Sequence, residues 1–258
     1  MKKNALALML ATVVFAGTAA ADEITKLRIG VEGAYPPFSY ATPSGDIEGF
    51  DIDIANALCH EMKVECTLVS QDWDGMIPAL MIRKFDAIIA SMNATEERKK
   101  QVAFTDKYHH APAKFIAKKG AGIEISKSGL TGKSIGVQRS TIFDTYLSDN
   151  YGDLITIKRY GTQTDAYLDM KAGRLDLLLA DSVNAASGFL DVEGGEDYEF
   201  VGPGLTDPRW FGEGASIAIR KNDVHLKDKF NQALKTIRTN GVYKAINDKY
   251  FNFDVYGN

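Results

Sequence analysis

The sequence predicts an α/β protein of two similar lobes, each a mainly parallel sheet flanked by helices, and three observations carry that prediction. From Leu27 onward, strand and helix periodicities alternate along the chain, as they do in proteins built on parallel sheets. The segments Lys84–Ser91 (KFDAIIAS) and Arg174–Asp181 (RLDLLLAD) share a basic residue, an apolar residue, an Asp, an apolar run and a polar end, and read as equivalent strands. Two stretches interrupted by Pro or Gly, FTDKYHHAPAKFIAKK and GPGLTDPRWFGEG, follow the two series and read as crossings between lobes.

The first series runs strand (LRIGVE), loop (GAYPPFSYATPSGDIE), helix (about 51 to 62), strand (VECTLV), helix (about 74 to 83) and strand (FDAIIA). The first helix follows Gly49, which permits a tight turn. Asp51 and Asp53 fall in its first turn, where unpaired N–H groups and the helix dipole favour carboxylates. Ile52, Ala55, Leu58, Cys59 and Met62 recur at helical spacing, and Val64, Cys66 and Leu68 then alternate as in a strand. The second series runs strand (SIGVQ), helix from about Thr141, strand (TIKRY), helix from about Thr164 and strand (LDLLLA). A further apolar strand (ASIAIRK) precedes terminal helices carrying Phe230, Leu234, Ile237, Tyr243, Ile246 and Tyr250.

The N-terminus carries Lys2 and Lys3, an apolar run from Ala5 to Ala16, and Ala19-Ala20-Ala21. This fits a secretory signal peptide cut after Ala21, since the run is short for a membrane span of about 20 residues. The chain has 30 Lys and Arg against 34 Asp and Glu, a net charge of −4 that becomes −6 once Lys2 and Lys3 are removed. An acidic exported chain is a poor nucleic-acid binder, because phosphate recognition relies on a basic surface. In an oxidising compartment Cys59 and Cys66 most simply form one disulfide, whose short loop stabilises by roughly 2.5 kcal/mol. Two free buried thiols are the alternative, and a metal pair lacks further ligands nearby.

The stretch GFDIDIANALCHEM resembles the signature of amino-acid-binding solute-binding proteins of family 3. The resemblance extends through EGAYPPF, WDGMIPAL, FDAIIASMNATEERKK, FTDKY, GVQRSTI, AGRLD, LLAD and KYFNFDVYGN. It is nearest to the periplasmic binders of lysine, arginine, ornithine or histidine that serve ABC importers. It implies the two-lobed periplasmic binding protein fold (type II), with a ligand cleft and hinge between lobes. The implied division is a signal peptide at 1–21, first lobe at 22–110 and 211–258, and second lobe at 111–210. A non-enzymatic, monomeric protein that closes on an amino acid and docks on a membrane permease follows, with no cofactor, no metal and no nucleic acid.

Ligands in open α/β sheets lie beyond the carboxyl ends of strands. That rule selects Glu32 to Tyr35, Trp73, Ser91 to Asn93, Ser140, Thr141 and Asp181. Arg98 lies in the first turn of a helix that Thr95 can cap, where a cation opposes the dipole unless an anion is also present. It is therefore either a bidentate carboxylate ligand or the start of a solvated charge run with Lys99 and Lys100. The resemblance implies the first. Asp181 is suited to a ligand ammonium or to a helix N-cap, and the resemblance again implies the ligand role. Thr141 and backbone groups of Ser91, Asn93 and Ser140 complete the implied clamp. Tyr35 and Trp73 are candidate aromatic walls, and Glu32 is the candidate partner of a cationic side chain.

Four patterns are decoys. Gly132-Lys133-Ser134 lacks the upstream glycine of a phosphate loop, and Gly132-x-Ser134-x-Gly136 lies at a strand start instead of a nucleophile elbow. Asn93-Ala94-Thr95 matches a glycosylation sequon only by rule, and His109-His110 lacks further metal ligands. Ala90 and Asn93 stand where cationic-amino-acid binders often have serines, and Ile142 where many have threonine, so an opine ligand stays open. A dehydratase acting on cyclohexadienyl acids is the competing reading from another class, with Glu32 or Asp181 as general acid.

Overall fold

The computed structural model describes residues 24–257; the expected signal peptide and its cut after Ala21 lie outside them. Two five-stranded sheets form the two lobes, and they have the same topology. In the first, the strand order is Glu65–Ser70, Lys26–Val31, Ala87–Ile88, Ala215–Ile219, Ala103–His109. In the second it is Thr156–Tyr160, Ser134–Gln138, Leu177–Asp181, Ala113–Lys118, Tyr198–Leu205. In both, the first three strands are parallel and the fourth runs against its two neighbours. The chain leaves the first sheet after His109, enters the second at Ala113, and returns between Leu205 and Ala215.

The likeness of KFDAIIAS and RLDLLLAD has a shared hydrogen-bond pattern behind it. The Arg28 N–H donates to the Asp86 carboxylate (3.0 Å) while the Asp86 N–H donates to the Arg28 carbonyl (2.8 Å). Ser134 and Asp176 repeat both bonds at 2.8 and 2.9 Å. Each Asp thus satisfies an N–H near the start of the neighbouring strand and fixes register.

Both faces of each sheet are covered, which explains continuous apolar runs in place of polar alternation. Ala87, Ile89, Ile217 and Ile219 enter one core with the first helix, Phe50–Glu61, while Ile88, Ala90 and Ala218 enter another around Met76, Leu80 and Phe85. In the second lobe Leu177 and Leu179 face Phe143 and Leu147, and Leu178 and Ala180 face Tyr167 and Phe189. The helix Val224–Thr239 buries Leu226, Phe230, Ala233, Leu234 and Ile237, a helical stripe that packs into the first lobe's core.

Some elements differ from expectation. The helix about 74 to 83 is a 3-10 turn, Trp73–Gly75, followed by Met76–Met81. The strand FDAIIA is regular only over Ala87–Ile88, with hydrogen bonds to the first strand extending to Asp86 and Ile89. The helix expected from Thr164 is Gln163–Lys171, capped by Thr162. Gly49 is required at its turn: at φ 132°, a Cβ would lie 2.3 Å from the Phe38 carbonyl oxygen. Asp51 does not serve the helix end; it is drawn beneath the cleft, while Asp53 binds Lys249 (2.7 Å) and the Tyr250 hydroxyl (2.8 Å). Cys59 and Cys66 are disulfide-bonded, with their Cα atoms 6.1 Å apart.

Candidate ligand cleft

Strand ends of both lobes converge on one cavity of about 360 Å³, lined by Glu32, Tyr35, Trp73, Ala90, Ser91, Asn93, Arg98, Gln138, Thr141, Ile142, Phe143 and Asp181. Eight of the nine residues selected from the sequence are there. Ser140 is exposed and outside the lining: its backbone is left-handed (φ 60°), its N–H donates to Asp144 and its carbonyl accepts the Trp73 indole N–H at 3.2 Å. Its place is in the contact between lobes.

Arg98 sits on the short helix Glu96–Lys99, whose N-cap Thr95 accepts the Arg98 N–H at 3.3 Å. Its guanidinium lies 5.1 Å from the Trp73 ring centre and donates to the Asn93 carbonyl at 3.0 Å. Among the described residues it makes no salt bridge. The side chain keeps some accessible surface, yet burial lowers its pKa to about 10. It therefore stays charged at neutral pH and can face an anion across the cavity.

Asp181, at the end of Leu177–Asp181 in the other lobe, is a helix cap that also lies in the cavity wall. Its Oδ1 accepts the N–H groups of Val183 (2.8 Å) and Asn184 (3.0 Å), capping the helix Ser182–Ala185, and its carboxylate also lines the cavity. Burial raises its pKa to about 6 against the lowering effect of those bonds. Thr141 is likewise a cap: it accepts the Asp144 N–H and donates to the Gln138 carbonyl at 2.8 Å. Asn93 holds the returning crossing, donating from Nδ2 to the Phe211 carbonyl at 2.7 Å.

Glu32 is buried, not solvent-facing, and burial pushes its carboxyl up to about 7; the Gln138 hydrogen bond opposes the shift, and the charges of Asp51 and Asp72 add to it. Ser91 lines the cavity with its polar groups turned down. Its N–H donates to the Tyr108 hydroxyl (2.8 Å) and its hydroxyl to Asp51 Oδ2 (2.9 Å), so its N–H is not the free clamp donor expected. Tyr108 donates to Asp51 Oδ1 at 2.8 Å, and burial raises Asp51 to about 7. Because the single Ser91 hydroxyl proton goes to Asp51, His109 Nε2, 3.0 Å from Ser91 Oγ, is the protonated nitrogen. That ring stacks on Phe38 at 4.5 Å and burial lowers its pKa to about 3, so it is neutral.

The lobes meet around this cavity. Besides Trp73 to Ser140, Arg139 pairs with Asp74 (2.6 Å) and the Asn184 amide donates to the Pro36 carbonyl (2.5 Å). Sequence reasoning missed Gln138, Phe143 and Asp51 and noticed Ala90 and Ile142 only as departures from a pattern. Gln138 had a signal available, since it ends the strand SIGVQ where the same strand-end rule applies.

The model of the bacterial extracellular solute-binding proteins, family 3, matches residues 27–253. The chain belongs to that family. Like the near relatives that follow, it is a solute-binding protein and not an enzyme. It is 52% identical to the L-arginine-binding protein of Pseudomonas aeruginosa, covering 100% of this chain and 99% of that one. It is 40% identical to the lysine/arginine/ornithine-binding periplasmic protein of Escherichia coli, over 100% of both. A solved arginine-specific periplasmic binding protein of Salmonella typhimurium superposes with a TM-score of 0.81 at 33% identity, over 88% of this chain and 100% of that one. The two-lobed arrangement of this family 3 protein is thus the one seen in solved arginine binders.

Proposed function

We propose that this protein is exported with cleavage after Ala21, works as a monomer in the periplasm, and binds a cationic L-amino acid, arginine foremost, for delivery to a membrane ABC permease. One observation carries the reading: Arg98 on one lobe and Asp181 on the other face the same cavity, with the Glu32 carboxylate also in its wall. An α-carboxylate suits Arg98, an α-ammonium suits Asp181, and a guanidinium or ammonium suits Glu32. Tyr35 and Trp73 then hold the alkyl stem. The names of the relatives support arginine within that class.

The lobes, divided near residues 110 and 210, close by rotation about the two crossings. A ligand that touches Arg98 and Asp181 together binds the closed arrangement better than the open one, and its differential affinity drives closure. The test is a thermal-shift screen of the standard amino acids and opines on ligand-stripped protein. Arginine, ornithine or lysine should raise the melting temperature most. An opine at the top of the ranking reassigns the side-chain pocket, and a leading neutral or acidic amino acid overturns the proposal.

A further inference from the structure

Gln138 reaches across the cleft. It ends the second-lobe strand Ser134–Gln138, is 1% exposed, and donates from Nε2 to Glu32 Oε1 of the first lobe at 2.5 Å and to the Gly161 carbonyl at 3.2 Å. Two acceptors on the nitrogen side settle the orientation of the amide. Its backbone is held as well, since its carbonyl accepts the Thr141 hydroxyl. The donors are thus spent, and among the described residues Gln138 Oε1 and Glu32 Oε2 take no recorded hydrogen bond, while both side chains line the cavity.

We infer that Gln138 is a specificity residue that makes the site selective for a guanidinium over an ammonium. This rests on the cationic-ligand reading above. By bonding one carboxylate oxygen of Glu32, the amide joins a charged acceptor from one lobe to a neutral acceptor from the other. A guanidinium is planar and carries its N–H donors on separate nitrogens in a fixed fork, so it spans two such acceptors at once; an ammonium holds its three donors on one atom and spans separated acceptors less well. Because the pair spans the lobes, it is complete only when the cleft is closed. The amide is neutral, so it orients Glu32 without neutralising it, as a lysine or arginine at 138 would.

The experiment is calorimetric titration with arginine, ornithine and asymmetric dimethylarginine, the last keeping the charge while losing the N–H groups of one terminal nitrogen. Unmodified protein should prefer arginine to each of the others by about tenfold or more, the range for a charge-assisted hydrogen bond. In Gln138→Leu, which removes the amide at similar size, both preferences should fall to within about threefold. Gln138→Met takes its place if the leucine variant does not fold. Retention of the arginine preference without the amide, or no such preference in the unmodified protein, overturns the inference while leaving cation binding intact. Failure of the unmodified protein to bind any of the three overturns the underlying reading and this one with it.

Discussion

The Ser91 hydroxyl donates to Asp51 Oδ2 at 2.9 Å, which ties a residue of the cavity wall to a buried carboxylate that makes no ion pair among the described residues. Glu32 and Asp51 are pushed up to about 7 and Asp181 to about 6, in each case mainly by burial. The cleft and its floor therefore store protons that a cation displaces. Arginine binding should release protons near pH 6.5 and weaken as the pH falls to 5. Titrations in buffers of different ionisation enthalpy measure this, and proton uptake on binding contradicts it.

The same shifts set the stability of the ligand-free protein. Acids whose folded pKa lies above the unfolded value bind more protons folded than unfolded in the window between, so stability falls as pH rises from about 4 to about 7. Asp51→Asn should flatten that slope in melting-temperature profiles between pH 5 and 8. An unchanged slope would mean that Asp51 does not titrate in this window.

Asp181 separates two roles by its substitutions. Asparagine caps a helix about as well as aspartate, whereas alanine does not, at a cost of about 1 kcal/mol. Asp181→Asn should lose arginine affinity with its melting temperature kept or raised, and Asp181→Ala should lose both. Equal affinity of Asp181→Asn and the unmodified protein leaves the residue only its cap.

Arg98→Ala should lower arginine affinity at least roughly 30-fold, as truncating one member of a buried charge pair costs about 2–5 kcal/mol. Arg98→Lys should rescue little, because a lysine lacks the planar fork. The ligand-free fold should tolerate both changes, since Arg98 makes no salt bridge among the described residues. A loss of less than about threefold in Arg98→Ala contradicts the assigned role.

Reduction of Cys59–Cys66 should destabilise by roughly 2.5 kcal/mol, the entropy of so short a loop, without altering affinity. The bond joins a helix to an edge strand, and neither cysteine lines the cleft. Denaturant titrations with and without reductant measure the first, calorimetry the second.

What the sequence disclosed followed periodicity and strand ends. Parallel strands buried on both faces write long apolar runs, so Leu177–Asp181 and its counterpart at Ala87–Ile88 were legible, and the strand-end rule pointed to Glu32, Trp73 and Asp181, which line one cavity, while Arg98 was drawn from its helix turn and the family resemblance. Asp51 was hidden because a carboxylate in a first helical turn already has a local explanation, whereas its partners Ser91 and Tyr108 are distant in the chain. The place of Ser140 outside the cavity lining was not legible, because its left-handed backbone sends both peptide groups to other partners, a dihedral that no residue pattern announces.

The most direct test of the account is the affinity of ligand-stripped protein for arginine beside glutamate, measured by calorimetry at pH 7.5. Both ligands share the α-groups that suit Arg98 and Asp181, so the comparison isolates the side-chain end at Glu32. Arginine should bind at least about a hundredfold more tightly, since a second carboxylate meeting Glu32 is repelled. Comparable affinities for the two would contradict the assignment of the cleft.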